Sequence, residues 1–333
     1  EFIPFENGVA TLPGGLKIEH TGNDRYAVGN DRIDVAFDTP QTPPYDLRND
    51  FVTTMPAHFG VTVLGGASGF IADKPCSGLI LHYNSEHMLI DCVPYLEYAV
   101  NARGISTTEI RSIFLTHIHD DHCNIFPLLR LSNKVKLIAT KEIFWMAMMK
   151  LSLQTLIPVE DISAMFDFVE VTPYETTEFF GLSIEPHYTV HSIPTIGATF
   201  RMKDGNTSRS IVFIGDNKSF SDIETMVVQG LVRQEKFDAL QKKYTERHDI
   251  LFADGGMGIL HGNPRDALNS HSDRIVFMHL EKLPPEFDAT FSHAIAGKRY
   301  NIMQGSYDSY MIRTMHILGD AFRNISHAWS TAL

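Results

Sequence analysis

The segment Thr116-His117-Ile118-His119-Asp120-Asp121-His122 follows directly on the apolar run Ile113-Phe114-Leu115. In an extended segment alternate side chains share a face, so His117 and His119 point the same way and can hold one metal ion. If the chain then turns into a helix, Asp121 and His122 emerge near its first turn and face a second metal beside the first. With each of these four residues taking about 5% of positions, the pattern arises by chance on the order of 0.002 times in a chain of this length. A solvated His-rich turn is the bland alternative, and placement at the end of a buried strand argues against it.

A two-metal site needs further ligands from distant strand ends, ideally with one carboxylate shared by both ions. His191 closes the run Leu182 to Val190, Asp216 closes Ile211 to Gly215, and His279 closes Arg274 to Met278. Singly, each reads equally well as a solvated strand-end group. Together they answer one demand.

H-x-H-x-D-H followed by His, Asp and His at strand ends resembles the hydrolytic metallo-β-lactamase superfamily, over roughly residues 59 to 285. That resemblance implies His117, His119 and His191 on one metal, Asp121, His122 and His279 on the other, and Asp216 bridging. It also implies an α/β fold, a four-layer αββα sandwich with the dinuclear site at the sheet edge, and Asp91 as a supporting group behind the ligands. The commonest true β-lactamases lack the paired Asp-His and carry Cys where Asp216 stands, and the oxygen-reducing diiron branch usually has Glu where His119 stands. The stretches Gly69-Phe-Ile-Ala-Asp-Lys-Pro-Cys-Ser-Gly78 and His187-Tyr-Thr-Val-His-Ser-Ile-Pro-Thr-Ile-Gly197 resemble bacterial members often joined to a cyclic-nucleotide-binding module.

Three further residues are candidates for catalysis. Asp121 counts here as well as among the ligands. His261, in a Gly-rich loop after Asp254, would donate a proton to a leaving group with Asp254 orienting it, unless it is simply solvated. His187 lies four residues before His191, on the same face of an extended strand, and reads equally as a donor behind the ligand or as a packed histidine.

These residues must be positioned by many short β-branched runs with helices between them, which predicts layered α/β packing. Strands are expected at 59–66, 77–83, 87–91, 113–117, 134–140, 168–173, 182–191, 198–203, 210–216, 249–256 and 274–280. Helices are expected around 94–103, 141–156, 221–232, 234–247 and 263–271, and Ser106-Thr-Thr-Glu109 has capping-box form. The organisation reads as an N-terminal extension over 1–58 that packs on the core, a catalytic domain over 59–299 and a helical tail over 300–333. The tail's Met311, Met315, Ile317, Leu318 and Phe322 suit an amphipathic helix that covers the core or joins a second subunit in a homodimer.

The formal net charge of −12 disfavours a long footprint on a nucleic acid polymer, so a tRNA-processing nuclease is the weaker idea and a small-molecule substrate the default. Cys76, Cys92 and Cys123 show no C-x-x-C spacing, which fits a reducing compartment. No run is long and apolar enough to span a membrane, and the expected location is cytoplasmic. Two divalent ions (Zn, Fe or Mn) would lower the pKa of a bridging water toward neutrality, giving a hydroxide nucleophile. The function expected is therefore a metal-dependent hydrolase, foremost a phosphodiesterase for a small (cyclic) nucleotide. The rivals are a thioester or lactone hydrolase with the same ligands and a diiron oxygen-binding or sensor protein.

Overall fold

The computed structural model describes residues 3–22, 25–34, 42–47, 57–131 and 134–304. The chain divides into two compact units, Glu1–Thr42 and Pro43–Leu333. In the first, Val9–Thr11, Lys17–Gly22, Arg25–Val28 and Asp31–Asp34 form an antiparallel meander in chain order. Its side chains alternate too little in polarity to announce strands, and a ring cluster of Phe5, His20 and Tyr26 stands in for a core, with His20 and Tyr26 centroids 5.1 Å apart.

The second unit holds two seven-stranded sheets. Across the first, the strands run Phe166–Glu170, Val135–Ala139, Ile110–Phe114, Glu86–Ile90, Gly78–Tyr83, Phe59–Gly65 and Arg299–Met303; across the second, Thr177–Phe179, Leu182–Tyr188, Ile196–Asp204, Thr207–Phe213, Ile250–Asp254, Ile275–Met278 and Ser292–His293. The period-two alternation of side chains sorts them into layers. Ile250 and Phe252 join the core between the sheets, while Leu251 and Ala253 pack with Phe237, Leu240 and Tyr244 of the helix Gln234–Thr245. Ile211 and Phe213 divide from Val212 and Ile214 in the same way. On the first sheet, helix Lys141–Thr155 buries Ile143, Phe144, Ala147, Met148 and Leu151. The result is the four-layer αββα sandwich.

The strands Glu86–Ile90, Ile110–Phe114, Val135–Ala139 and Phe166–Glu170 are mutually parallel, as are Thr207–Phe213, Ile250–Asp254, Ile275–Met278 and Ser292–His293. Parallel strands end on one edge, so residues that follow them gather there. The two edges are tied together: Ile196 N donates to Thr116 O, Leu280 N to Gly66 O and His279 N to Ser77 Oγ.

Two expected helices differ. After His119 the chain makes a single turn, His119 O accepting from the amides of both His122 and Cys123, and then pairs Cys123 with Cys92 instead of continuing as a helix. Over 263–271 only the short 3-10 turn Pro264–Ala267 forms, because Asn269, Ser270 and Ser272 follow it and favour local side-chain hydrogen bonds over helix. The strand Arg299–Met303 pairs antiparallel with Phe59–Gly65, and the apolar positions from Met311 to Phe322 lie outside the described residues. Among the described residues no helix is long and apolar enough to cross a membrane, and all three cysteines are buried free thiols.

Phe114 and Phe200, both fully buried, meet edge to face across the two sheets with centroids 5.4 Å apart. Phe200→Ala should therefore destabilise the fold by about 3–5 kcal/mol, through lost transfer energy and an unfilled cavity. Chemical denaturation measures this, and a loss below about 1 kcal/mol would contradict a rigid inter-sheet core.

Candidate metal centre

Each site residue stands just past a strand end. Asp91 follows Glu86–Ile90, His117 to His122 follow Ile110–Phe114, and His191 follows Leu182–Tyr188. Asp216 follows Thr207–Phe213, Asp254 ends Ile250–Asp254, and His279 follows Ile275–Met278. Asp91 and His279 leave their strands with φ of 63° and 62°, a left-handed conformation that costs energy for any residue but glycine and turns both side chains inward.

The seven predicted ligands meet in two clusters that share one residue. In the first, His119 Nδ1 lies 3.0 Å from His117 Nε2 and 3.1 Å from His191 Nε2, while Asp216 Oδ2 stands 3.8 Å and 3.6 Å from the latter two. In the second, His122 Nε2 is 3.1 Å from His279 Nε2, 3.4 Å from Asp121 Oδ2 and 3.4 Å from Asp216 Oδ1, which is itself 3.1 Å from His279 Nε2. Asp216 thus presents one oxygen to each cluster.

The supporting hydrogen bonds fix which ring nitrogens are bare. Asp91 accepts the Thr116 amide at 2.8 Å, the Thr116 hydroxyl, and His122 Nδ1–H at 2.7 Å. With its own proton spent on Asp91, Thr116 Oγ1 accepts from His117 Nδ1 at 2.9 Å. His191 Nδ1 donates to Leu260 O at 3.2 Å. These contacts leave Nε2 of His117 and His191 without a proton, facing His119 Nδ1, so three ring nitrogens converge with at most one proton among them.

Burial and the neighbouring imidazoles hold His117 well below the ordinary histidine range, and burial likewise pushes His191 to about 4 and His279 to about 3. Burial also lowers His119. His122 behaves oppositely: burial opposes its protonation, but Asp216, Asp91 and Asp121 outweigh that and raise it well above the usual value. Burial pushes Asp216 up to about 7, Asp254 and Asp121 adding to this while His122 and His261 oppose it. Both shifts describe a pocket that keeps protons where cations would displace them.

The donor set fits a pair of divalent ions. Four ligand atoms about 2.0–2.1 Å from a tetrahedral centre stand about 3.3 Å from one another, the spacing seen in each cluster. Asp91, Asp121, Asp216 and Asp254 bring four carboxylates into one largely buried pocket beside imidazoles, a charge that two divalent cations offset. Asp216 Oδ1 is buried with no hydrogen-bond donor aimed at it, the condition expected of a ligand atom.

His261 lies at the rim. Its Nδ1 is 2.8 Å from Asp254 Oδ2, its ring stacks on His279 at 4.9 Å, and its side chain keeps 12% of its exposure. Burial opposes its protonation, but the hydrogen bond and charge of Asp254, with Asp216 and Asp121 behind it, raise its pKa. His187 sits elsewhere, on the helix side of the second sheet with Glu185, Lys243 and His248 as its titratable neighbours, and it is fully buried. Gly69 opens one of the two family-like stretches, but nothing in the sequence ties it to Asp121. Its amide donates to Asp121 Oδ2 at 3.1 Å across 52 positions, and a Cβ there would lie 2.5 Å from that oxygen and 2.8 Å from Asp121 Cβ.

The family described as anti-Pycsar protein Apyc1 matches residues 59–255. The chain belongs to the Apyc1 family. Two curated relatives from Dictyostelium discoideum are similar to it. The cGMP-dependent 3',5'-cGMP phosphodiesterase A is 24% identical over 229 residues, 68% of this chain and 26% of the relative. The cAMP/cGMP-dependent 3',5'-cAMP/cGMP phosphodiesterase B is 25% identical over 251 residues, 73% of this chain and 22% of the relative. The chain spans about a quarter of the length of these relatives. Among solved structures, the metallo-β-lactamase fold protein YhfI from Bacillus subtilis covers 73% of this chain and 99% of its own length, with a TM-score of 0.52 and 17% identity. The sandwich is thus the metallo-β-lactamase fold. Six of the seven clustered residues fall inside the Apyc1-family segment, and His279 joins them from beyond it.

Gly69→Ala should push Asp121 out of its cluster and weaken one metal about 10–100-fold, as loss of a ligand's support typically does. Elemental analysis after dialysis against a weak chelator reads this out as one equivalent lost, with the far-ultraviolet circular dichroism unchanged. Full retention of both equivalents would contradict the close approach.

Proposed function

We propose that this chain is a dinuclear metal-dependent hydrolase, a phosphodiesterase whose substrate is a small cyclic nucleotide. The observation that carries the reading is Asp216, whose two oxygens face separate histidine-rich clusters. His117, His119 and His191 would hold one cation, Asp121, His122 and His279 the other, with Asp216 shared. An all-nitrogen-and-oxygen set of this kind suits Zn, Fe or Mn. Support for the substrate class comes from the Apyc1-family match and from the two relatives being cyclic-nucleotide phosphodiesterases. The acidic chain favours a small diester over a polymer.

When bound, such a cation pair supplies a water-derived nucleophile at neutral pH and a positive field for the phosphoryl oxygens. The chain's own residues do the rest. Asp91, through Thr116 and His122, keeps both ligand rings aimed, so little reorganisation accompanies reaction. Hydrolysis adds water oxygen to phosphorus and breaks one phosphorus–ribose oxygen bond. The departing oxygen takes its proton from His261, whose Nδ1 is committed to Asp254, leaving Nε2 to donate.

The first test is metal analysis of protein purified without added metal, with parallel assays of cyclic nucleotides and bis-p-nitrophenyl phosphate. Close to two equivalents with diesterase turnover is expected. Turnover of acyl thioesters or lactones in place of diesters would move the substrate assignment, and two equivalents of iron with an oxygen-dependent spectrum and no turnover would overturn the hydrolase reading. Within the diesterase, His261→Ala should lower kcat on a cyclic nucleotide about 10²–10⁴-fold. It should cost far less on bis-p-nitrophenyl phosphate, because nitrophenolate departs without a proton. Equal losses on both substrates would remove His261 from the proton-donor role.

A further inference from the structure

The ligands are unequally supported. His117, His122 and His191 each have their second ring nitrogen fixed by a hydrogen bond of 2.7–3.2 Å. His119 has only Ser192 Oγ, 3.3 Å from its Nε2, and is part-exposed. Its aim therefore depends on the main chain that carries it, and that main chain lies beyond the last ladder residue of the strand, Phe114.

One side chain from outside the site grips this stretch. Lys150 projects from helix Lys141–Thr155, beside the residues that helix buries against the first sheet. Its ammonium donates to Ile118 O at 2.8 Å and pairs with Asp120 Oδ1 at 2.6 Å, with 19% of the lysine side chain left exposed. Ile118 and Asp120 alternate with His117, His119 and Asp121, so a single cation holds both neighbours of His119. The Asp120 carboxylate is almost fully exposed and is worth little as an ion pair, so the Ile118 carbonyl is the contact that matters.

We propose that Lys150 is a positioning residue for the metal centre. It clamps Ile118 and Asp120 and thereby sets the direction of His119 Nδ1 before any ion arrives. The inference rests on the two-metal reading of the site. Its consequence is that the helix layer, and not only the strand ends, takes part in holding the first cluster.

Lys150→Met keeps an apolar stem without the donor, Lys150→Gln keeps a neutral donor on a shorter stem, and Lys150→Arg keeps a cationic donor. In cobalt-loaded protein, Lys150→Met and Lys150→Gln should each lose one of the two ions to a chelator about tenfold faster than wild type and alter the visible spectrum, while Lys150→Arg retains both. In metal-free protein the same two variants should show faster hydrogen exchange at the amides of His122 and Cys123, the donors to His119 O. Wild-type retention and wild-type exchange in either folded variant would overturn the proposal. Wild-type protein that binds no cobalt would overturn the two-metal reading instead, leaving the exchange experiment to judge whether Lys150 holds the turn.

Discussion

Asp216 is the constraint on which the arrangement turns. A carboxylate buried this completely, beside Asp254 and within reach of Asp121, is held only if something positive comes to it. Burial pushes the Asp216 carboxyl up toward its protonated form, and the neighbouring carboxylates raise His122. The bare nitrogens of the surrounding rings cannot help, since His117, His191 and His279 are kept neutral by their burial. On the proposed reading, two cations would take the place of protons beside Asp216 and His122.

The scaffold exists to bring such mutually repelling groups together. Both sheets run their parallel strands toward one edge, and the core between them supplies the burial energy that offsets the convergence. The departures from ideal backbone sit at that edge too: Asp91 and His279 take left-handed φ values, and Gly69 is pressed against Asp121 with no room for a Cβ. Regular strands absorb these costs a few residues away.

The clustering of the seven predicted ligands was legible because chemistry and local structure agree there. A polar residue capable of ligation after an apolar strand is informative, and His117, His119, Asp121, His122, His191, Asp216 and His279 all have that form. Central parallel strands such as Ile250–Asp254 and Ile275–Met278 were legible for a related reason, being largely buried and mostly apolar. What escaped depends on contacts between distant positions. The edge strands Thr177–Phe179, Ser292–His293 and Arg299–Met303 are short or polar and exist through their partners. Gly69 and Lys150 act across 52 and 32 positions, and nothing local marks the partner of either. The turn after His119 reads as helix because its short-range amide bonds resemble helical ones, until Cys123 is drawn to Cys92.

Ligand-type residues crowd so closely that four overlapping groups lie within coordinating distance, two of them including Asp91 or Asp254. Hydrogen-bond capacity separates the real candidates from the rest. Asp91 is occupied by the Thr116 amide, the Thr116 hydroxyl and His122 Nδ1. Asp254 is occupied by the amides of Asn217 and Gly256 and by His261 Nδ1. Neither has a lone pair free in a useful direction without giving up a bond that aims a ligand or a proton donor. Asp216 differs in that its Oδ1 has no hydrogen-bond partner while its two oxygens face the ring nitrogens of His191 and His279. On the proposed reading the same residue type would serve three purposes in one pocket, shared ligand, brace and orienting base, divided according to which hydrogen-bond donors reach each carboxylate.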